Sequence, residues 1–347
     1  MNKSQTAVVI GRFQPFHNGH AMLLNEAFDI AEQVIVVVGS AHSPRTFKNP
    51  FTFEERRDMI LDWCSESGYS KALSIVGVDD DLYEEERWVA TLQSTVQNQI
   101  PPHRKSLPVT LVGYSKDDSS YYLNSFDWKL HTVEKPFVVG ETVLDATTIR
   151  KTLYEVGYGA LDIIGDFLPK ASRRAIMRLY GNPDFETIVA DYNYIVDYKK
   201  SWEAAPYPPT FVTADAVVTC KSRILLIRRG YSPGRGQLAL PGGFIESDEE
   251  IKTAIRRELL EETQIDLPSN VIDARLADNE PKVFSSPNRS SRGRTITFVG
   301  RIRLRDEDGI PRVRAASDAD KAIWVRFMDL KREEMFEDHY DIISNLL

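Results

Sequence analysis

The chain has 347 residues and a formal net charge of −8, from 43 Lys and Arg against 51 Asp and Glu. Hydrophobic residues make up 42% and charged residues 27%, the balance of a water-soluble globular protein long enough for two domains. That balance excludes general nucleic-acid binding, which needs a basic surface to displace counterions, and no apolar run reaches membrane-spanning length. Without a basic-then-apolar leader at the start, the cytoplasm is the expected compartment; Cys64 and Cys220 are the only cysteines, too few for a disulfide framework.

Taken in chain order, Ala7-Val8-Val9-Ile10 predicts a strand, the stretch from Gly11 to His20 a loop, and the apolar-periodic segment from Ala21 a helix. Strand, glycine loop and helix form the usual phosphate-binding arrangement of an open α/β sheet, because the helix start offers unpaired N–H groups and partial positive charge. Gly19 lets main chain approach a ligand. His17 and His20, on either side of it, can stabilise charge on a transferring nucleotidyl phosphate without a covalent intermediate. Such a pair also occurs on ordinary surfaces and as half of a metal site. Apolar runs at 34–38, 73–78 and 109–112 read as strands separated by helix-length segments at 54–63 and 85–95, a rhythm that predicts a parallel sheet wrapped by helices.

Gly11-Arg12-Phe13-Gln14-Pro15-Phe16-His17-Asn18-Gly19-His20 contains the HxGH pattern and resembles the archaeal-type nicotinamide mononucleotide adenylyltransferases, members of the HxGH nucleotidyltransferases. The resemblance implies that His17 and His20 are catalytic and that Gly11, Arg12, Phe13, Gln14 and Gly19 bind substrate. It extends to Asn49-Pro50-Phe51-Thr52 with Glu55-Arg56, where the family closes over the mononucleotide, which implies binding roles for Asn49 and Arg56. Trp88 matches a position where the family stacks an indole on the pyridine ring; an aromatic at helical spacing is equally a core residue. In Gly113-Tyr114-Ser115-Lys116-Asp117 the polar groups follow a strand's carboxyl end, and Lys116 is the candidate phosphate partner. Ala146-Thr147-Thr148-Ile149-Arg150 resembles the second phosphate motif, in which Thr147 and Arg150 would hold the departing pyrophosphate. Asp145 stands where the family commonly has serine, and is expected to cap the helix that follows.

Residues 170–180 read as a helix, broken by Gly181-Asn182-Pro183. Residues 184–209 are rich in tyrosine and acids and close on Ala205-Pro206-Tyr207-Pro208-Pro209, so they read as a boundary or stiff linker, with Tyr192, Tyr194, Ile195 and Tyr198 apolar enough to dock. The expected organisation is therefore a first domain at 1–183, a linker at 184–209 and a second domain at 210–347. In that last part, runs at 214–219 and 224–227 predict a hairpin around Cys220-Lys221-Ser222-Arg223, and 295–304 and 323–327 add strands. Between them lie Pro241-Gly242-Gly243-Phe244-Ile245-Glu246 and then Arg257-Glu258-Leu259-Leu260-Glu261-Glu262. Glu258, Glu261 and Glu262 share one side of a helix and repel one another by roughly 0.2–0.5 kcal/mol per pair. A solvated acidic face is the ordinary explanation of such a run. The glycine turn upstream, Arg257 placed to orient a carboxylate, and hard oxygen donors suited to Mg²⁺ or Mn²⁺ favour a cation site instead.

This order of glycine, acid, arginine and paired glutamates resembles a Nudix box. The resemblance implies that Glu258 and Glu262 ligate the metal, that Glu261 is a ligand or orients water, that Arg257 supports them, and that Gly243 lies against substrate. Gln264 occupies the position where the family usually has glycine; left-handed backbone is cheap only for glycine, so the helix exit is expected to suffer. Leu238-Ala239-Leu240-Pro241-Gly242-Gly243-Phe244 is most similar to ADP-ribose pyrophosphatases. The expected fold is α/β: an N-terminal Rossmann-like nucleotidyltransferase domain with a parallel sheet, plus a C-terminal α/β Nudix domain with a mixed sheet. Both resemblances, in this order, are those of the bifunctional nicotinamide mononucleotide adenylyltransferase/Nudix hydrolases. They imply ATP, nicotinamide mononucleotide, NAD and ADP-ribose as ligands and Mg²⁺ or Mn²⁺ at both sites, and are compatible with a homo-oligomer. The alternatives are a second domain that hydrolyses NADH or a dinucleoside polyphosphate or only senses a ligand, and a first domain with another phosphate or phosphonate acceptor. Retention of all three glutamates argues against a pure sensor.

Overall fold

Strand β1 (Ser4–Gly11) leads through the histidine loop into α1 (Asn18–Ile30), and β2 (Ala31–Val38) follows at once. The computed structural model describes residues 4–69, 72–114, 123–133, 138–139, 142–143, 145–277, 280–315 and 319–347, in two compact units that divide between Val189 and Ala190. The first continues with α2 (Phe53–Glu66), β3 (Ala72–Gly77), α3 (Glu85–Gln99), β4 (Val109–Gly113) and β5 (Lys129–Thr132). A small antiparallel pair, β6 (Val138–Val139) and β7 (Thr142–Val143), precedes α4 (Ala146–Val156), α5 (Ala160–Ile164) and α6 (Lys170–Tyr180).

The sheet of the first unit has the order β3-β2-β1-β4-β5 with every pairing parallel. Helices on both faces explain why its central strands are uninterrupted apolar runs: Val34, Ile35, Val36, Val37 and Val38 are fully buried. Each such side chain contributes about 1.5–3 kcal/mol of burial. Strand order reverses between β1 and β4, and ligands of open α/β sheets bind at the carboxyl ends of strands at such a switch point. The loop carrying His17 leaves β1 there.

Helix α7 (Asp184–Lys200) replaces the expected linker over its first 17 residues. Acids in its first turn, Lys199 and Lys200 in its last, and buried Ile188 and Ile195 together make a helix of this stretch; only the proline-rich residues after it are irregular. In the second unit come β8 (Thr210–Cys220), β9 (Arg223–Arg229), β10 (Leu238–Ala239), β11 (Gly242–Phe244), α8 (Ile251–Thr263) and α9 (Ser269–Ala277). They are followed by β12 (Lys282–Phe284), β13 (Arg294–Arg303), β14 (Ala319–Arg326) and α10 (His339–Leu346). The sheet is mixed: β13 runs parallel to β8, while β9, β11, β12 and β14 pair antiparallel with their neighbours. The predicted β8–β9 hairpin turns through Lys221 and Ser222, both at positive φ. One side of α8, Ala254, Ile255 and Leu259, packs on Ala214, Ala216, Val218 and Leu225. That packing turns the acidic side of α8 toward β11. Among the described residues no helix is long and apolar enough to cross a membrane.

Candidate active sites of the two units

His17 is the N-cap of α1, with extended backbone at φ −137° and ψ 171°. Its main-chain N–H donates to His20 Nδ1 at 3.3 Å, and the two imidazoles stack with centroids 3.7 Å apart. Phe13 meets His20 edge-on at 4.7 Å and Phe16 stacks behind it at 6.0 Å. Burial, and then the neighbouring His17, hold the His20 pKa well below its ordinary value. A neutral imidazole whose Nδ1 accepts a hydrogen bond carries its proton on Nε2, so His20 is an N–H donor at a helix N-terminus.

Arg150, nearly buried on α4, donates from Nη1 to the Gln14 carbonyl at 2.8 Å and from Nη2 to Thr147 Oγ1 at 3.2 Å. Asp145 caps α4 as expected, accepting from the Thr147 and Thr148 main-chain N–H groups and from Thr148 Oγ1. Its charge is thereby turned onto the helix start, while exposed Thr147 stays at the mouth of the motif. Gly11 sits over Phe13, whose Cζ would lie 3.0 Å from a Cβ there; Gly19 falls in the first turn of α1; Arg12 is exposed.

Four residues expected to bind substrate make their contacts within the protein. Arg56 is 1% exposed, and its guanidinium donates to the carbonyls of Arg12 at 2.9 Å, Gly39 at 2.8 Å, and Ser40 and Thr52 at 3.0 Å. A buried cation with its donors so filled fixes the loops after β1 and β2 and has no reach toward a ligand. Burial lowers its pKa to about 10. Gln14 pairs its amide with the Phe51 main chain in both directions, at 2.8 and 2.9 Å, and Phe13 is 1% exposed. Trp88 packs against the core around Val8, Leu92 and Leu111, its ring 6.0 Å from Phe126. Asn49 is placed differently: its Oδ1 is buried and has no hydrogen-bond partner among the described residues, which leaves an acceptor for a ligand. Lys116 lies outside the described residues. Two groups that sequence reasoning missed also sit beyond the strand ends: Ser40 Oγ donates to the Asp80 carboxylate, and the His42 main-chain N–H donates to Asp79 Oδ1 at 2.8 Å. The run Asp79-Asp80-Asp81 directly after an apolar strand was the available signal.

In the second unit Arg257 is the hub. It donates from Nε and Nη2 to Glu249 at 3.0 and 2.6 Å, from Nη1 to Glu258 at 2.8 Å and Glu261 at 3.1 Å, and from Nη2 to the Phe244 carbonyl at 3.0 Å. These bonds hold its pKa above the ordinary arginine value. Glu262, 6% exposed, accepts from the Gly242 N–H at 2.9 Å. Burial, with Glu258 and Asp215 nearby, pushes the Glu262 carboxyl up to about 8, and Glu258 is raised by burial as well. A Cβ at Gly243 would stand 2.5 Å from Glu258 Oε1, so only glycine lets the turn lie against that carboxylate. Glu261 is about half exposed and turned to Arg257. Among the described residues no three His, Cys, Asp or Glu side chains already stand as a metal cage. Glu258 and Glu262 nonetheless fit a divalent cation: buried Glu262 and half-buried Glu258 are hard-oxygen donors whose neutral forms are favoured chiefly by burial.

Asp215, on β8 and 5% exposed, joins this acidic group, with the Thr297 hydroxyl donating to it. An acid inside the run Ala214 to Thr219 was its signal, overlooked as part of a strand. Arg229, on β9 beside this group, donates from Nε to the Pro233 carbonyl at 2.9 Å and lies over the Phe336 ring at 4.1 Å. Arg228 bonds the Gly236 carbonyl at 2.5 Å. At the helix exit Gln264 adopts the left-handed conformation, φ 39° and ψ 43°, and its N–H bonds the Leu260 carbonyl. The expected damage to the exit is therefore absent; a side chain has been accommodated where glycine is usual.

A histidine pair at the switch point of a parallel sheet and a glutamate helix beneath a glycine turn define a nucleotidyltransferase joined to a Nudix hydrolase. A cytidylyltransferase-like family model matches residues 8–87, and a NUDIX domain model matches residues 209–346. The chain belongs to the bifunctional NMN adenylyltransferase/ADP-ribose pyrophosphatase family. The crystal structure of such a protein from Francisella tularensis is 34% identical, with a TM-score of 0.89 over 99% of this chain and 98% of that one. A second crystal structure from that organism, described as complexed with AMP and a Mn ion, is 33% identical with a TM-score of 0.87 over the same shares of both chains. Over 156 residues the first part is 36% identical to a nicotinamide/nicotinic acid mononucleotide adenylyltransferase of Acinetobacter baylyi, covering 45% of this chain and 78% of that relative.

Proposed function

We propose that the first unit transfers the adenylyl group of ATP to nicotinamide mononucleotide, giving NAD and pyrophosphate, and that the second hydrolyses ADP-ribose to AMP and ribose 5-phosphate, both in the cytoplasm. The observation that carries the reading is the presence in one chain of the stacked His17–His20 pair and the Glu258–Glu262 pair, each beside its own glycine-containing turn.

In the first reaction a phosphate oxygen of the mononucleotide attacks the α-phosphorus of ATP, and the bond to the β,γ-pyrophosphate breaks. His20 donates its Nε2 proton as a hydrogen bond to the phosphate in flight, and the N-terminus of α1 adds partial positive charge. Arg150 and Thr147 receive the negative charge that gathers on pyrophosphate as it leaves. Arg56 and Gln14 keep the loop in shape from beneath. In the second reaction water attacks one phosphorus of the diphosphate. A divalent cation, magnesium in this proposal, polarises the phosphate and lowers the pKa of that water when bound. Glu258 and Glu262 would hold it, with Glu261 nearby; Arg257 orients Glu258 and Glu261, the Gly242 N–H orients Glu262, and Gly243 leaves room for the diphosphate.

Assays of the purified full chain test both halves: NAD formation from ATP and nicotinamide mononucleotide, and hydrolysis of ADP-ribose, NADH, diadenosine tetraphosphate and oxidised nucleotides, each followed by its own nucleoside monophosphate product, with Mg²⁺ and with Mn²⁺. ADP-ribose is expected to be turned over with the highest kcat/KM. Preference for NADH or a dinucleoside polyphosphate would overturn the substrate assignment, and no NAD formation would overturn the first half.

A further inference from the structure

Helix α10 reaches the glycine turn of the second unit through one buried histidine that the proposed reaction does not use. Leu240 precedes Pro241-Gly242-Gly243, and its main-chain N–H donates to Nδ1 of His339, 99 positions later, at 2.9 Å; both residues are buried. Two further contacts set His339 in place. The Phe336 N–H donates to the Leu238 carbonyl at 2.7 Å, which lays the segment entering α10 along β10, and Asp338 forms a buried two-bond pair with Arg289 at 2.9 and 3.0 Å. Burial, and then Arg289, Arg229 and Arg292, lower the His339 pKa and keep the ring neutral, so that Nδ1 accepts while Nε2 carries the proton. The turn beyond Leu240 is tight. The Ala216 N–H donates to the Pro241 carbonyl at 2.9 Å, Gly242 leaves no room for a Cβ beside Asp215, and the Gly242 N–H donates to Glu262 at 2.9 Å.

We propose that His339 is a positioning residue for the second reaction: by accepting the Leu240 N–H it fixes the turn in which the Gly242 N–H meets Glu262. The inference rests on reading Glu258 and Glu262 as the carboxylates that would hold the cation, and it adds the group that keeps one of them aimed. The physical reason is the cost of the alternative. Without an acceptor at position 339 the Leu240 N–H is a buried donor with nothing to bond, and the chain relieves that cost by shifting Leu240. Pro241 has a fixed φ, so the shift passes on to Gly242 and weakens its bond to Glu262. A carboxylate released from that N–H samples more rotamers and loses them again on binding a cation, which is why partners behind a metal ligand govern affinity without touching the metal.

His339→Phe and His339→Asn variants of the full chain decide the matter. Phenylalanine keeps a ring but offers no acceptor, whereas asparagine places Oδ1 as many bonds from the main chain as Nδ1 stands. The Mn²⁺ binding that Glu262→Gln removes, followed by calorimetry, is expected to weaken about tenfold in the Phe variant and to stay within about threefold of wild type in the Asn variant. ADP-ribose hydrolysis by the Phe variant should need about tenfold more Mn²⁺ for half its maximal rate, with KM for ADP-ribose at saturating Mn²⁺ within about twofold of wild type and NAD synthesis unchanged. In the metal-free proteins, hydrogen exchange of the peptide spanning residues 238–245 should speed up about tenfold in the Phe variant and not in the Asn variant. The exchange and Mn²⁺ results support the inference even if ADP-ribose is not hydrolysed. A Phe variant with a lower Tm but wild-type Mn²⁺ affinity and exchange would show a purely structural histidine, and equal damage in the Asn and Phe variants would overturn the role of the acceptor.

Discussion

Arg150 and Gln14, 136 residues apart, are joined by a 2.8 Å hydrogen bond from the arginine to the glutamine's main-chain carbonyl. With its second bond to Thr147, this fixes the guanidinium plane between the histidine loop and α4. Lysine can place a charge there but cannot span both acceptors. Arg150→Lys is therefore expected to lower kcat/KM for NAD synthesis at least about tenfold, the equivalent of losing one charge-assisted hydrogen bond. ADP-ribose hydrolysis by the same preparation should stay within twofold of wild type. NAD synthesis at the wild-type rate in the lysine variant would remove Arg150 from the phosphate site.

His20→Ala separates the two activities. It deletes one preorganised donor to the reacting phosphate, a change that lowers kcat by roughly 10²–10³ where such donors have been removed. AMP release from ADP-ribose should be untouched, because every group proposed for that reaction lies in the other unit. Equal loss of both activities in a folded His20→Ala protein would contradict independent sites.

Buried histidines set a limit on the acid side. His20 and His339 are both held well below the ordinary histidine value, His20 by burial and then His17, His339 by burial and then Arg289, Arg229 and Arg292. The unfolded chain then binds protons that the folded chain refuses, so their contribution is fully present above about pH 6.5 and is lost as pH falls below it. His339 Nδ1 accepts from the Leu240 N–H at 2.9 Å, and protonation would turn that acceptor into a donor facing a donor. Thermal unfolding of the Glu262→Gln protein, in which the opposing titration of that carboxyl is removed, should show a falling Tm from pH 7.5 down to pH 5 with onset near pH 6.5. A Tm independent of pH across that range would show that these histidines titrate normally.

Much of this was legible in the residues themselves. Runs such as residues 34–38 are apolar because both faces of the sheet are covered, and the HxGH loop and the glutamate helix follow from spacing alone. Roles decided by tertiary contact were not. Arg56 opens a helix beside a loop expected to close over a ligand, where an arginine ordinarily suggests phosphate; only the folded chain reveals the main-chain carbonyls surrounding it. Arg292 lies in a polar stretch with no periodicity, and nothing local tells that it meets Phe244, 48 positions earlier by number. The stretch 184–200, which also holds the division between the two units, is helical, and the prolines that mark a boundary in the sequence begin only at Pro206.

Gln264 offers a stability test. A left-handed backbone costs a residue with a side chain about 1–2 kcal/mol, and glycine escapes that cost while losing roughly 0.5–1 kcal/mol to the freedom of the unfolded chain. Gln264→Gly should therefore stabilise the second unit by about 0.5–1 kcal/mol, raising its Tm by roughly 1–4 °C. Calorimetry that detects no gain, or a loss, would mean that the glutamine side chain forms compensating contacts.

Glu262 links stability, cation and pH. Its carboxyl is pushed up to about 8 in the folded chain, from an ordinary value near 4.5. Between those values the folded state holds a proton that the unfolded state has released, so the contribution of Glu262 to stability is fully present below about pH 4.5 and fades as pH rises toward 8. A cation must displace that proton, so Mn²⁺ affinity should climb with pH and level off above about 8. Mn²⁺ should accordingly raise the Tm of the second unit more at pH 8 than at pH 6. In Glu262→Gln the titrating group is gone: the slope of affinity with pH should flatten, metal-dependent hydrolysis should fall at least about a hundredfold, and NAD synthesis should persist. The glutamine keeps an acceptor for the Gly242 N–H, so loss of that 2.9 Å bond cannot account for the change. Metal-dependent hydrolysis at the wild-type rate in this variant would remove Glu262 from the ligand set and leave Glu258 with a different partner.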